Sequence, residues 1–412
     1  VTIPTEAIVV DCSGKFIYPS FIDLYADYGI QVAANQAAGG RNAYLNVQLN
    51  SNTKGAFGWN QAIKADVDAG AIFVVDDTKA KALRDAGFGS VLAHQKDGIA
   101  RGTGTFVSLA SVKENFAIIK EKASAHYSLS KGSSQQSYPS SMMGSITLLR
   151  QTYYDAKWYK NNAAKEGVNL SLIAWNNNQS LPQIFEANDK WNALRADRIG
   201  DEFGVQYIIK TGGNEYQRIP EIVSTGASLI VPINYPMAMD VEDPTDARFV
   251  SLSDMKHWEL APTNPAALEK AGITFSLTTA DLRSPNAFLT NLRKAIDYGL
   301  SETKALEALT TNPAKMIGVN DAVGSIEQGK MANFIITTGN VFNEKSSIIE
   351  NWIQGKKYAV KSDKWSDVAG SYTLNVTGTK GTKNYSLQVK SSAAASIIGN
   401  DTIATKFSHD GK

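Results

Sequence analysis

At 412 residues, 43% of them hydrophobic and 20% charged, the chain can bury a large core and has room for one large domain plus a smaller one. Its 41 Lys and Arg balance 40 Asp and Glu, which excludes a disordered polyelectrolyte, and no Lys/Arg-rich run offers the phosphate footprint of a nucleic-acid binder. The single cysteine, Cys12, excludes an intramolecular disulfide and a cysteine-based zinc cluster, and no apolar run reaches the roughly 18 residues of a membrane-spanning helix.

The chain opens in mid-pattern with VTIPTEAIVVDCSGKFIYPSF, which implies a processed or truncated start. From about residue 15 to 320, short β-branched runs alternate with longer amphipathic ones, the mark of repeated βα units. Strands are predicted at Phe21 to Asp27, Ala71 to Asp77, Gly89 to His94, Leu170 to Trp175, Val205 to Lys210, Leu229 to Asn234 and Ile273 to Thr278. Helix-like stretches lie between them: TKAKALRDAG, LPQIFEANDKWNALRADRIGDEFG with Gly204 as its C-cap, and NAFLTNLRKAIDYG. This alternation predicts an α/β fold, a closed (β/α)8 TIM-like barrel, with an open doubly wound sheet as the alternative.

Residues 98 to 150 are less regular, and KGSSQQSYPSSMMGS reads as a long polar loop over one barrel face. After NPAKMIGV the pattern changes to short strands, VGSIEQGKMANFIITTGN and IIENWIQGKKYAV. Beyond Ser362 a period-2 alternation predicts a meander of at least three strands over 363–412, cut short at SHDGK.

Advertised mechanisms are mostly missing. GIARGTGTF lacks the Lys-Ser/Thr of a phosphate loop, and neither a G-x-S-x-G elbow nor an H-E-x-x-H helix occurs. Of four histidines, His94, His126, His257 and His409, no two are spaced to share a helix or strand face, so surface or locally bonded roles are expected. Only His94, ending a predicted strand, is placed to reach a barrel mouth. Asp23 and Asp27 flank Tyr25 with period 2, Asp76 and Asp77 end the next predicted strand, and Asp281 follows the last. Such oxygen donors suit Mg²⁺ or Ca²⁺, but an Asp in a βα loop is more ordinarily a helix cap.

Two segments resemble the amidohydrolase superfamily. VVDCSGKFIYPSFIDLYADYG is similar to that superfamily's opening, in which a β-sandwich strand passes through a P-G-F-I-D turn into a first barrel strand ending in H-x-H. ALEALTTNPAKMIGVNDAVGSIEQGKMANFIITTGN resembles its closing segment, where the last barrel helix leads into an I-x-x-G-K-x-A-D hairpin. The resemblance spans roughly residues 5 to 357 and points to the imidazolonepropionase-like branch, in particular to the first, metal-ligand-poor unit of exported tandem bacterial members. It implies a composite β-sandwich from 1–18 and 322–360, a barrel over 19–321 and the appended meander over 363–412.

The superfamily's activity is metal-dependent hydrolysis of C–N bonds, with zinc or another divalent ion. Carried over position by position, the H-x-H pair falls on Tyr25 and Asp27. The strand-5 histidine falls on Ala174 or Trp175, the strand-6 histidine near Gly213 or Asn214, and only the strand-8 aspartate survives, as Asp281. Asn333 replaces the closing-motif aspartate.

The expectation is therefore a non-catalytic unit without a cofactor, supporting an active copy or binding a ligand. Tyr25, Asp27, Trp175, Asn176, Lys210, Asn214 and Tyr235 would line an aromatic, amide-rich mouth suited to sugars or peptides. The alternatives are a working hydrolase that uses Asp27, His94 and Asp281 for metal or Lys210 as a base, and a structural subunit of an envelope assembly. The resemblance implies a tandem amidohydrolase unit or an envelope complex as partner, and export to the periplasm or outer membrane.

Overall fold

The structure, a computed structural model, describes residues 9–26, 28–30, 55–361, 370–378, 381–391, 394–399 and 402–406. Asp27 and His409 lie outside the described residues.

Strand β1 (Phe16–Pro19) is followed across Ser20 by β2 (Phe21–Ala26), in which all six residues are buried. β3 (Phe88–His94), β4 (Ala100–Ser108), β5 (Ile118–Ser128), β6 (Gln183–Glu186), β7 (Ile208–Lys210), β8 (Leu229–Pro232) and β9 (Phe275–Thr278) join β2 in an eight-stranded sheet ordered as in the sequence. Every ladder is parallel except the two that flank β4, which runs against both neighbours. The reversal follows from chain length. Only residues 95–99 separate β3 from β4, and a parallel crossover needs a dozen or more.

Among the described residues no backbone ladder joins β9 back to β2; the carboxylate of Asp23 spans this seam. Fully buried, it accepts from the Thr278 hydroxyl at 2.6 Å, the Thr279 amide at 2.8 Å, the Thr279 hydroxyl at 2.6 Å and the Tyr25 amide at 2.9 Å. The four donors satisfy a charge that would otherwise be costly to remove from water.

Side chains alternate across the barrel wall as period 2 requires. Leu92, Ile184 and Ile230 belong to one apolar cluster with Ile22, Leu24 and Phe106, whereas their neighbours Val91, Phe185 and Leu229 belong to a second, larger cluster with the helices. Helix Phe288–Asp297 shows why the outer layer holds. Phe288, Leu292 and Ala295 recur at helical spacing and are buried, and Phe288 meets Phe88 edge-on at 4.9 Å. Burying a side chain such as Phe288 or Leu292 contributes about 1.5–3 kcal/mol.

The sequence expectations fail at four places. Ala71 to Asp77 is not a strand: Ala69–Ile72 is a helical turn capped by Asp68, and Asp76 caps helix Asp77–Asp85 by accepting from Thr78 and Lys79. Leu170 to Trp175 is not a strand either, because Asn169 caps a helix, Leu170–Asn178, whose β-branched content is low. The irregular stretch 98–150 holds the two longest barrel strands, β4 and β5, and the start of a 25-residue helix, Met142–Glu166, which begins inside the expected polar loop at the Ser141 cap. The segment LPQIFEANDKW begins with β6 and becomes helical only at Lys190, after the Asp189 cap.

β1 pairs with β10 (Phe334–Thr337), followed by β11 (Ile348–Ile353) and β12 (Lys356–Ala359), in an antiparallel sheet. Buried Asn351 ties it to the barrel, accepting from Ser20 at 2.8 Å and donating to the carbonyls of Arg84 and Phe88 at 3.0 and 2.9 Å. β13 (Gly370–Gly378), β14 (Gly381–Ser391), β15 (Ala394–Ile398) and β16 (Thr402–Lys406) form a separate antiparallel meander.

Candidate functional site

The candidate site is the layer of side chains above the barrel's inner core. Two residues beyond Leu92, Ile184 and Ile208, on the same strand face and nearer the C-terminal ends, stand His94, Glu186 and Lys210. Tyr25 reaches the same layer from β2. Because β4 runs backwards, its first residues also arrive here and deliver Arg101. This is the end of the barrel at which enzymes of this architecture keep their sites.

Tyr25 is at the centre. Its hydroxyl accepts from the Arg101 guanidinium at 2.8 Å and bonds to Glu186, while Arg101 itself makes a 2.6 Å ion pair with Glu186 and donates to the Gly98 carbonyl at 3.1 Å. Burial pushes the Tyr25 phenol far above its usual value, with Arg101 working against that shift, so the phenol stays protonated. Burial also works against the Arg101 cation, but Tyr25 and Glu186 outweigh it and hold its pKa above the ordinary value. The ammonium groups of Lys96 and Lys210 lie 4.9 and 5.5 Å from the Tyr25 ring centre.

Lys210, its side chain 2% exposed, forms a 2.5 Å ion pair with Asp281, which is 48% exposed. Asp281 has φ +66°, a left-handed conformation that costs a non-glycine residue about 1 kcal/mol.

His94 and His126 stack face to face, ring centres 3.7 Å apart and planes 7° from parallel, with the Tyr25 ring 4.6 Å from His94. His126 Nε2 bonds to the Ser124 hydroxyl at 2.8 Å; both nitrogens of His94 and Nδ1 of His126 are buried without a hydrogen-bond partner among the described residues. Gly104 makes room for the pair. It lies opposite His94 on one side and Ser124 on the other, and a Cβ there would stand 2.5 Å from both His126 Nε2 and the Ser124 hydroxyl.

Their surroundings favour the neutral form of both rings. Burial is the largest cause of a pKa well below the usual value, and the charges of Lys96 and Arg101 add to it. In the unfolded chain each ring takes up a proton below about pH 6.5, so the unfolded state then binds more protons and folding stability falls as pH falls. The expected slope approaches about 1.4 kcal/mol per pH unit for each ring below pH 6.5. Denaturant titrations between pH 7.5 and 5.5 check this, with His126→Gln expected to flatten the profile.

These donors do not fit a divalent ion. Among the described residues no group of three or more His, Cys, Asp or Glu could hold one. Imidazole donates through an in-plane lone pair at about 2.0–2.1 Å, and parallel rings 3.7 Å apart direct those lone pairs side by side instead of toward one point. Glu186 and Asp281 are already neutralised by Arg101 and Lys210, and those two fixed cations oppose a third.

Of the residues named from the sequence, the fold brings Tyr25, His94, Lys210 and Asp281 together. Trp175 and Asn176 are elsewhere: both lie on helix Leu170–Asn178, where Trp175 packs edge-on against Tyr127 and Tyr153 and Asn176 donates to the Ala156 carbonyl. Asn214 follows β7 and accepts from the Lys190 amide at 2.9 Å, a helix-start contact. Tyr235 follows β8 with its hydroxyl buried and unpartnered among the described residues, its pKa raised by burial, and Lys294 5.7 Å from its ring. Asp76 and Asp77 serve helix Asp77–Asp85, Asp77 by pairing with Arg84, and His257 bonds to Tyr216. Sequence reasoning misses Arg101, His126 and Glu186 as site residues because it does not recognise their strands. The signal available is the alternation in ARGTGTFVS and KASAHYS.

Residues 259–359, the end of the barrel and the sheet after it, match the family model for the amidohydrolase family. An amidohydrolase from Thermotoga maritima MSB8 superposes with a TM-score of 0.67 at 23% identity, over 87% of this chain and 91% of that one. A prolidase complexed with N-methylphosphonate-L-proline matches over 87% and 90% at 14% identity with a TM-score of 0.48. Another amidohydrolase structure matches over 88% and 91% at 15% identity with a TM-score of 0.46. No curated protein matches the sequence. The fold is thus that of the Thermotoga amidohydrolase.

Proposed function

We propose that this chain is an amidohydrolase-fold unit that does not hydrolyse C–N bonds through a metal, and that it supports an active copy or holds a ligand or partner. The observation that carries this reading is the Lys210–Asp281 ion pair. The carboxylate that the resemblance equates with a surviving metal ligand is bonded instead to a buried ammonium. Free water, with a pKa of about 15.7, needs a bound ion to yield hydroxide near neutrality, and the mouth offers fixed ion pairs in place of one. Export to the bacterial periplasm or outer membrane belongs to the same proposal and rests on the tandem resemblance.

The test is elemental analysis of the purified, unchelated chain for zinc, manganese, iron and nickel, with an amide and dipeptide panel assayed beside a relative that retains its histidines. We expect far less than one equivalent of any metal and no turnover. Thermal unfolding with added Zn²⁺ gives a second readout. A site saturated about 1,000-fold over its dissociation constant would stabilise the chain by about 4.1 kcal/mol, and we expect no such rise. One equivalent of retained metal, or hydrolysis by this chain, would overturn the proposal.

A further inference from the structure

Outside the barrel, helix Met142–Glu166 faces the start of helix Leu170–Asn178 and the segment 58–63 across a cavity of about 330 Å³. Its walls are pinned. The Ser171 hydroxyl accepts from the Gly58 amide at 3.1 Å and donates to Asp66 at 3.2 Å, and the Tyr159 hydroxyl donates to the Gly167 carbonyl at 2.8 Å while accepting from the Asn169 amide at 3.0 Å. A volume near 300 Å³ is the lower end of small-molecule sites.

The lining has one sign of charge. Asp155 and Glu166 contribute carboxylates, Trp59, Trp158 and Tyr159 contribute rings, and among the described residues no Lys, Arg or His lines the cavity. Asp155, Tyr159 and Glu166 stand at i, i+4 and i+11, which places them along one face of their helix. Among the described residues Glu166 has no hydrogen-bond or ion-pair partner and Asp155 accepts only from the Gln151 amide group at 2.6 Å. Trp59 and Trp158 remain 37% and 50% exposed.

A second tryptophan-bearing cavity, of about 390 Å³, provides the comparison. There Trp191 has the Lys190 ammonium 5.5 Å and the Arg218 guanidinium 5.0 Å from its ring centre, so the chain supplies its own cations. Among the described residues no Lys or Arg stands over Trp59 or Trp158. Indole faces and carboxylates attract the same ligand charge, and among the described residues no cation meets that demand here.

We propose that the cavity at Trp59 and Trp158 binds a small organic cation, a methylated ammonium or a guanidinium, held by indole faces and by Asp155 and Glu166. An anion meets two carboxylates and no donor cation, and a neutral apolar guest leaves both carboxylates without a counterion.

Isothermal titration of the full chain with choline, agmatine and 3,3-dimethylbutan-1-ol, the neutral isostere of choline, tests this. At least one cation is expected to bind with one equivalent at saturation, at least about tenfold more tightly than the isostere. Asp155→Asn and Trp158→Ala should each weaken that binding about fivefold or more, and Trp191→Ala should leave it unchanged. Thermal midpoints confirm that the variants are folded; neither Asp155 nor Trp158 is buried. Absence of cation binding at about 10 mM, equal binding of the isostere, or an unchanged affinity in folded Trp158→Ala would each overturn the proposal.

Discussion

Asp23→Ala is expected to lower the unfolding free energy by about 4 kcal/mol or more. The carboxylate accepts four hydrogen bonds, two from backbone amides and two from threonine hydroxyls, and all are at the seam where no ladder among the described residues joins the first and last barrel strands. Truncation leaves these donors facing a cavity, and each unsatisfied buried group costs about 1–3 kcal/mol. Asp23→Asn keeps the shape but presents an amide donor to existing donors, so it should recover only part of the loss. Thr279→Ala removes one of the hydroxyl donors and should cost about 1–1.5 kcal/mol. Urea unfolding followed by circular dichroism and tryptophan fluorescence measures all three, and an unchanged midpoint for Asp23→Ala would contradict the latch.

Arg101→Met is expected to cost about 3–5 kcal/mol, because it strands Glu186 and the Tyr25 hydroxyl in a mouth that has been desolvated around three partners. The more telling result is the double variant. Arg101→Met with Glu186→Gln removes both charges, and replacing a buried pair by neutral side chains is often close to neutral in stability. Most of the single-variant loss should therefore return, by the same urea measurement. If the double variant is as unstable as Arg101→Met, the guanidinium contributes through packing and its Gly98 contact instead of through the ion pair.

The barrel and its ends are legible in the sequence where local and global signals agree. β2, β3, β8 and β9 are β-branched or apolar runs closed by turns, and helix Phe288–Asp297 repeats its buried residues at helical spacing. β4 and β5 are not legible. ARGTGTFVS carries two glycines that lower strand propensity, and one of them, Gly104, is there because the histidine stack occupies the space of a side chain. Reading this stretch as irregular hides Arg101 and separates His94 from His126, since their contact depends on a backward strand between them. Leu170 to Trp175 misleads in the opposite way: LSLIAW is apolar enough for a strand, and its helical state is decided by the Asn169 cap and by tertiary packing of Trp175.

Lys210 is legible as a residue at a strand end, but its partner is not, because Asp281 reaches it from 71 residues away through a left-handed backbone turn. The same holds for Tyr25. Its position can be read from the opening motif, whereas its role as the centre of three cations and a carboxylate needs the register of several strands.

The Asp23 latch also sets a timetable for making the protein. Its carboxylate and its threonine partners are 255 and 256 residues apart, so at about 5–20 residues per second the ribosome takes roughly 13–50 s to deliver the second half of the seam after the first. During that interval β2, a strand with every residue destined for burial, lacks the threonine partners of its seam. The nascent barrel therefore spends that interval with its seam unlatched, and its yield in a cell should depend on holdase capacity and elongation rate as well as on the stability of the finished fold.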